Sequence, residues 1–239
     1  TVNRAALPTV FNPEDLKALE MALRVKDQMP GATVTVVTMG PPRAAEIIKD
    51  ARNRGADDGF VLSDARFAGA DTLATSYAIA QAVKQLGPVD LIFGGRQAID
   101  GDTAQVGPQV AEKLEIPQVT YAEELLAVSR KDITIRRRLE RGTECVKAQL
   151  PALVTVTSAA ADCRFPNAHR MIRQAREEVR MTNADSIDAD MDRLGLKGSP
   201  TKVKKIENVV LAHKESVVLE ASEAALNDLA ATLIQAHIL

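Results

Sequence analysis

The stretch Gly94-Gly95-Arg96-Gln97-Ala98-Ile99-Asp100-Gly101-Asp102-Thr103-Ala104-Gln105-Val106-Gly107-Pro108 places glycines, short polar side chains and two aspartates directly behind an apolar run, Val89 to Phe93. Glycines let a backbone approach a ligand closely, and the free amides of a helix start receive phosphate oxygens. A helix expected over Thr103 to Leu114 makes Thr103, Ala104, Gln105 and Val106 the carriers of those amides, and Asp102 with Gln105 has the spacing of a capping box. The same residues also fit an ordinary strand-to-helix turn capped by Asp102, since the stretch is neither a GxGxxG nor a Walker loop. Two more expected strand ends carry small or hydroxylated residues: Thr38-Met39-Gly40-Pro41, and Phe67 to Thr75, where Asp71 can cap a helix. Three such ends favour a shared ligand crevice over three unrelated turns. No catalytic triad is visible, and no catalytic residue is assigned; Asp100 and Asp102 lie two apart without a histidine nearby, which leaves a hydrolytic carboxylate dyad as the alternative. Arg136-Arg137-Arg138 and Arg141 fit either an anionic partner or the solvated face of a hairpin.

Positioning these residues falls to alternating strands and helices. Asn12-Pro13-Glu14-Asp15 reads as a helix start, with Asn12 as cap, Pro13 at the first position and an acidic pair at the positive end of the dipole. Leu16, Leu19, Ala22 and Leu23 then share one face, and Pro30-Gly31 stops the helix. A β-branched run, Thr33 to Thr38, precedes the turn at Gly40-Pro41-Pro42, and Ala44, Ile47, Ile48 and Ala51 form the buried face of a second helix ending at Gly55. Strand Gly59 to Leu62, helix Asp71 to Leu86, strand Val89 to Phe93, helix Thr103 to Leu114 and a strand from Val119 continue the alternation. This order predicts an α/β fold, doubly wound around a mostly parallel sheet, with ligands beyond the carboxyl ends of the strands.

From Ala122 the pattern changes to a hairpin (Leu125 to Val128 with Ile133 to Arg138), a strand from Glu144 to Leu150, and a buried strand from Ala152 to Thr157. Arg164 to Pro200 is basic, then polar, and reads as an extended arm laid over a partner, because its composition cannot build a core of its own. Ser222 to Ala236 is an amphipathic helix with a Leu226, Leu229 and Leu233 stripe. The expected division is a nucleotide-binding domain over 1–163 and an arm with its terminal helix over 164–239. Such a domain ordinarily opens with a strand, which Thr1 to Phe11 is too short and too broken to supply.

Bulk composition narrows the function classes. Lys and Arg number 30 against 32 Asp and Glu, so no global attraction to nucleic acid or an anionic membrane is expected. No apolar run approaches the roughly 20 residues of a membrane span, and Thr1 to Ala6 lacks a signal-peptide pattern. Cys145 and Cys163 lie far apart, and His169, His213 and His237 are scattered, which argues against a zinc site and for reduced thiols in a cytoplasmic protein. The absence of Trp removes the stacking platforms of single-strand binders.

At the residues just described the chain resembles the beta subunit of electron-transfer flavoproteins, over nearly its whole length. Asn12 to Glu20, Val37 to Pro41, Gly55 to Asp58, Ala68 to Thr72 and Leu150 to Val156 match the family in order, and Gly95 to Pro108 is the most specific stretch. The resemblance implies an adenine-nucleotide alpha-hydrolase-like domain, paired with a larger subunit that carries the electron-transferring FAD. It implies AMP in the crevice of ordinary members, and a second FAD beside an NADH site in electron-bifurcating members. Carried over by position, the nucleotide contacts are Asn12, Pro13, Glu14, Asp15, Met39 and the loop from Gly95 to Val106, with phosphate at Ala104, Gln105 and Val106. Arg96 is the residue expected to place a charge near a flavin ring. Asp-Gly-Asp-Thr-Ala-Gln-Val-Gly-Pro follows the bifurcating pattern and favours FAD, with structural AMP as the alternative. The arm reads Cys163-Arg164-Phe165-Pro166 where the family has Pro-Arg-Tyr, and Ala168 stands where some members place a leucine that anchors an acyl-CoA dehydrogenase or related flavin dehydrogenase; Met171 or Ile172 can substitute. ATP-binding stress proteins and adenylate-forming enzymes share this fold type and supply the competing class, and an interaction-only role is the third.

Overall fold

The computed structural model describes residues 9–204 and 218–238. The expectations placed on Thr1 to Ala6, and on the opening strand as far as residue 8, lie outside the described residues. Two compact units divide the chain, one up to Lys202 and one from Val203.

The first unit holds thirteen of the helices and strands. Helix α1 (Pro13–Gln28) begins where Pro13 fixes the first helical φ and Glu14 and Asp15 meet the positive end of the dipole. Strand β1 (Thr35–Met39), helix α2 (Ala45–Arg54), strand β2 (Asp58–Leu62), helix α3 (Thr72–Gln85), strand β3 (Leu91–Gly95) and helix α4 (Val106–Leu114) follow. Next come β4 (Gln118–Val128), β5 (Asp132–Leu139), β6 (Gly142–Gln149) and β7 (Ala152–Val156), then α5 (Ala168–Gln174) and β8 (Arg180–Thr182).

The strands form two hydrogen-bonded sheets rather than one. The first is parallel, in the order β1-β2-β8; the second runs β3-β7-β4-β5-β6, parallel up to β4 and antiparallel beyond. Parallel strands covered on both faces read as continuous apolar runs, and Ala152, Leu153, Val154 and Val156 of β7 are all buried. The expected start at Val119 and the first hairpin strand are one element: β4 parallels β7, slips register between Val119 and Ala122, and continues as the partner of β5. In β5, Ile133 and Ile135 enter the core on alternate positions. The Arg136 to Arg138 run is paired within the sheet surface, Arg136 with Glu124, Arg137 with Glu144 and Arg138 with Glu123.

The segment expected as an arm has no core of its own, as its composition requires. It lends Val179, Ala184, Ile187 and Leu194 to the cores of the first unit, and β8 extends the β1-β2 sheet. This unit therefore continues past residue 163 to Lys202. The second unit contains helix α6 (Glu223–Gln235), capped by Ser222, with Leu226 and Leu229 of its apolar stripe exposed.

Candidate nucleotide-binding site

The start of α1 meets the end of β3. At that crossing the Asp15 carboxylate accepts the Gly95 N–H at 2.6 Å, and Asn12 Nδ2 donates to Asp15 Oδ2 and to the Gln97 carbonyl, both at 2.9 Å. Asn12 thus stands at the cap position without capping; its side chain ties the helix start to the loop instead. Its Oδ1 is buried and has no hydrogen-bond partner among the described residues, and a buried polar atom left unpaired costs about 1–3 kcal/mol unless a ligand or water completes it.

Glu14 fastens two strand ends. Its buried carboxylate accepts the Gln97 N–H (3.1 Å) and the Ser158 N–H (3.3 Å), and it faces Arg96 Nε at 3.4 Å. Arg96 donates its backbone N–H to the Val156 carbonyl at 2.8 Å, and its guanidinium lies 5.8 Å from the centre of the Tyr121 ring. The charge assigned to Arg96 is therefore shared with Glu14.

The loop beyond departs from the expected geometry. Helix α4 starts at Val106 rather than Thr103, and Gln105 is its cap residue. Asp102 (φ 48°) and Ala104 (φ 54°) adopt left-handed backbone conformations, which cost a non-glycine residue about 1–2 kcal/mol and which cluster at functional sites. The Asp102–Gln105 capping box is absent: the Asp102 carboxylate accepts from the Gln97 side chain, while the Gln105 side chain accepts the Thr72 hydroxyl at 3.0 Å. Among the described residues, no hydrogen bond is found from the backbone N–H groups of Thr103, Ala104, Gln105 or Val106. Gly107 lets this helix start approach the sheet, since a Cβ there would come within 2.6 Å of Thr155 Cγ2.

Not every expected contact converges here. Asn12, Glu14 and Asp15 meet Gly95, Arg96 and Gln97 directly. Ala98 closes a turn by accepting the Asp102 N–H (2.9 Å), and Ile99, Asp100, Gly101 and Thr103 are exposed. Pro13 is exposed at the helix start, and Met39 packs against the cluster of Phe60, Leu62 and Tyr77. Phe67, from the third candidate stretch, is buried in that same cluster, and Asp71 caps α3. Ser158 and Tyr121 (φ 60°, in the β4 bulge) join the site only through space, so no local sequence pattern announces them, whereas Thr72 comes from the third candidate stretch. Among the described residues there is no group of three or more His, Cys, Asp or Glu side chains fit for a metal ion, and no helix long and apolar enough to cross a membrane.

Burial pushes the Asp15 carboxyl above the ordinary carboxylate range, against the lowering bonds from Asn12 and Gly95 and with a further push from Glu14. A group whose folded pKa is raised stabilises the fold below its unfolded pKa and loses that contribution as pH rises through the folded value. Urea melts of the protein against Asp15→Asn between pH 4 and 7 are expected to show wild type losing stability relative to the variant as pH rises, by up to about 1.4 kcal/mol per pH unit. A difference independent of pH would mean that Asp15 titrates normally.

The chain matches the electron transfer flavoprotein domain family over residues 1–186. It is 48% identical over 205 residues to the electron transfer flavoprotein subunit beta of Clostridium acetobutylicum, covering 86% of this chain and 78% of that protein. It is 41% identical over 241 residues to protein FixA of Sinorhizobium fredii, covering 98% of this chain and 84% of the other. With the caffeyl-CoA reductase-Etf complex subunit CarD of Acetobacterium woodii it shares 42% identity over 203 residues, 85% of this chain and 77% of that one. An α/β unit, a family match over most of the chain and relatives of this identity converge: the chain belongs to the electron transfer flavoprotein family as a beta-subunit-type member, with a role in electron transfer alongside a partner subunit.

Proposed function

We propose that this chain is the small subunit of a heterodimeric electron-transfer flavoprotein of the cytoplasm. In this reading it holds FAD in the crevice between α1 and the Gly95 to Val106 loop, takes electrons from NADH, and passes them to the FAD of the large subunit. The large subunit in turn serves an acyl-CoA dehydrogenase-type partner. The observation that carries nucleotide binding is the loop itself: consecutive amides from Thr103 to Val106 without partners among the described residues, two left-handed residues within it, and the Asn12 Oδ1 at its base, also without a partner among the described residues. A phosphate fits the amides, and a ligand N–H fits Asn12.

FAD supplies the redox chemistry when bound; the protein binds, orients and tunes it. Asn12 and Asp15 fix the floor of the crevice against Gly95. Glu14 holds Arg96 so that its guanidinium stays at the carboxyl end of β3 with part of its charge offset. Gly94 leaves room on the strand, since a Cβ there would meet nothing within 4 Å. The similarity to a caffeyl-CoA reductase-Etf subunit supports a thioester-reducing or thioester-oxidising flavoenzyme as the final partner.

The test is the nucleotide count of the complex co-expressed with its large subunit, from absorbance near 450 nm and chromatography of the denatured extract. About two FAD and no AMP per heterodimer is the expected result. One FAD with one AMP would make this chain's nucleotide structural. A colourless complex with ATPase or adenylating activity would overturn the flavoprotein role.

A further inference from the structure

Residues 199–201 are joined to the candidate nucleotide loop by two sets of side-chain hydrogen bonds, one to Asp71 and one from Thr72, linked by the peptide bond between those adjacent residues at the start of α3. The Ser199 hydroxyl, which is buried, donates to the Gly195 carbonyl at 2.7 Å and accepts the Asp71 N–H at 2.8 Å. Asp71 uses both carboxylate oxygens. Its Oδ1 caps α3 by accepting the N–H groups of Leu73 (3.0 Å) and Ala74 (3.1 Å). Its Oδ2 accepts the Thr201 hydroxyl (2.8 Å) and N–H (3.2 Å). The next residue, Thr72, donates its hydroxyl to Gln105 Oε1 at 3.0 Å and accepts from Gln109 Nε2 at 3.3 Å. Ser76, one turn on, donates to Gln109 Oε1 at 3.0 Å, so two residues of α3 grip Gln109 of α4 and its cap residue Gln105.

An N-cap needs only one carboxylate oxygen. The second oxygen of Asp71 is spent on Thr201, which fixes the backbone from which the Thr72 hydroxyl projects. The grip on Gln105 has a use of its own. Gln105 is exposed and follows left-handed Ala104; its carbonyl accepts the Gln109 N–H at 3.0 Å, and its side chain is held by Thr72. A loop that is ordered before a ligand arrives does not spend binding energy on ordering itself.

We propose that Thr72 is a positioning residue for the phosphate-facing amides of Ala104, Gln105 and Val106, and that Thr201, through Asp71, holds Thr72 in place. The inference rests on the nucleotide reading of the loop and is indifferent to whether the nucleotide is FAD or AMP. Spatial continuity alone does not demonstrate coupling, so the test is a double-mutant cycle.

The heterodimer, freed of the nucleotide in this chain with the large subunit's FAD in place, is titrated separately with AMP and with FAD. Thr72→Val is expected to weaken binding about tenfold and Thr201→Val about threefold, the scale of one lost or loosened hydrogen bond. The double variant is expected to bind no more weakly than Thr72→Val alone, because both act through one contact. Thr72→Ser and Thr201→Ser keep the hydroxyls and are expected to bind like wild type, which a purely steric role would not produce. Wild-type affinity in both valine variants, or additive losses in the double variant, overturns the positioning role. A wild-type complex that takes up neither AMP nor FAD overturns instead the nucleotide reading on which it rests.

Discussion

Gly95→Ala is expected to destabilise the protein by about 2–3 kcal/mol and to abolish the proposed nucleotide binding, whereas Gly94→Ala, one residue away on the same strand, leaves stability within about 0.5 kcal/mol. The two glycines differ in what a methyl group would meet. At Gly95 it would lie 2.7 Å from the Asp15 backbone nitrogen, 2.9 Å from Asp15 Oδ1 and 2.9 Å from the Glu14 carbonyl carbon. Two of those atoms are backbone in the first turn of α1, so relief requires the helix itself to move. That movement breaks the Gly95 N–H bond to Asp15 (2.6 Å) and withdraws Glu14 from Gln97 and Ser158. At Gly94 the methyl meets nothing within 4 Å, so any loss of nucleotide there comes without a loss of stability. Denaturant melts of the two variants, with nucleotide content measured on the same preparations, check this. Equal melting for both would mean that α1 and β3 are not as closely apposed as the hydrogen bonds require.

That apposition also marks the limit of what was legible in the sequence. Helix α1 was readable because its start and its apolar face are local: Pro13, the acidic pair, and Leu19 and Leu23 at helical spacing, both now buried. The alternation of strands and helices was readable for the same reason, and with it the placement of the loop at a strand end. The loop's internal geometry was not. Asp102 and Gln105 have the spacing of a capping box, yet each side chain finds a partner distant in sequence or off the helix, Gln97 for one and Thr72 for the other. Left-handed Asp102 and Ala104 then delay the helix to Val106. Spacing encodes which partners are reachable along one helix, and it carries nothing about a competitor arriving from a neighbouring helix. The segment after residue 163 shows the same limit. Its low apolar content argued against a core of its own, while the few apolar residues it has, Val179, Ala184, Ile187 and Leu194, fill cores built by other elements.

The Arg164 guanidinium is one of the groups that fix the beginning of that segment, and its removal carries the second large effect. Arg164→Ala is expected to cost about 2–3 kcal/mol and to shift acid unfolding to higher pH. The Glu20 carboxylate, whose side chain is only 8% exposed, accepts Arg164 Nε at 2.9 Å, Nη2 at 3.2 Å and the Arg164 backbone N–H at 3.0 Å, besides Arg24 Nε at 3.0 Å. Arg164 Nη2 also reaches Asp27 at 2.7 Å, and Arg54 donates to the Arg164 carbonyl at 2.8 Å. Burial alone would raise the Glu20 carboxyl; the bonds from Arg164 and Arg24 outweigh it and hold the group below its ordinary range. A depressed folded pKa contributes stability above the unfolded pKa and loses it as pH falls through the folded value. Taking the Arg164 side chain away removes the first of the lowering bonds and leaves Arg24 and the residue-164 N–H alone against burial, so the carboxylate takes up its proton earlier on acidification. The estimate lies below the 3–5 kcal/mol typical of a fully buried broken pair, because Arg164 is itself about one-third exposed. The origin of the loss can be isolated: if it is the unpaired charge, Glu20→Gln on top of Arg164→Ala recovers most of it and flattens the acid transition. A double variant as unstable as Arg164→Ala alone would place the cost in lost packing at the start of the segment. The placement of residues 164–167 would then depend on Arg54 and the Asn167 N–H bond to the Asn53 carbonyl (2.8 Å) rather than on the ion pair.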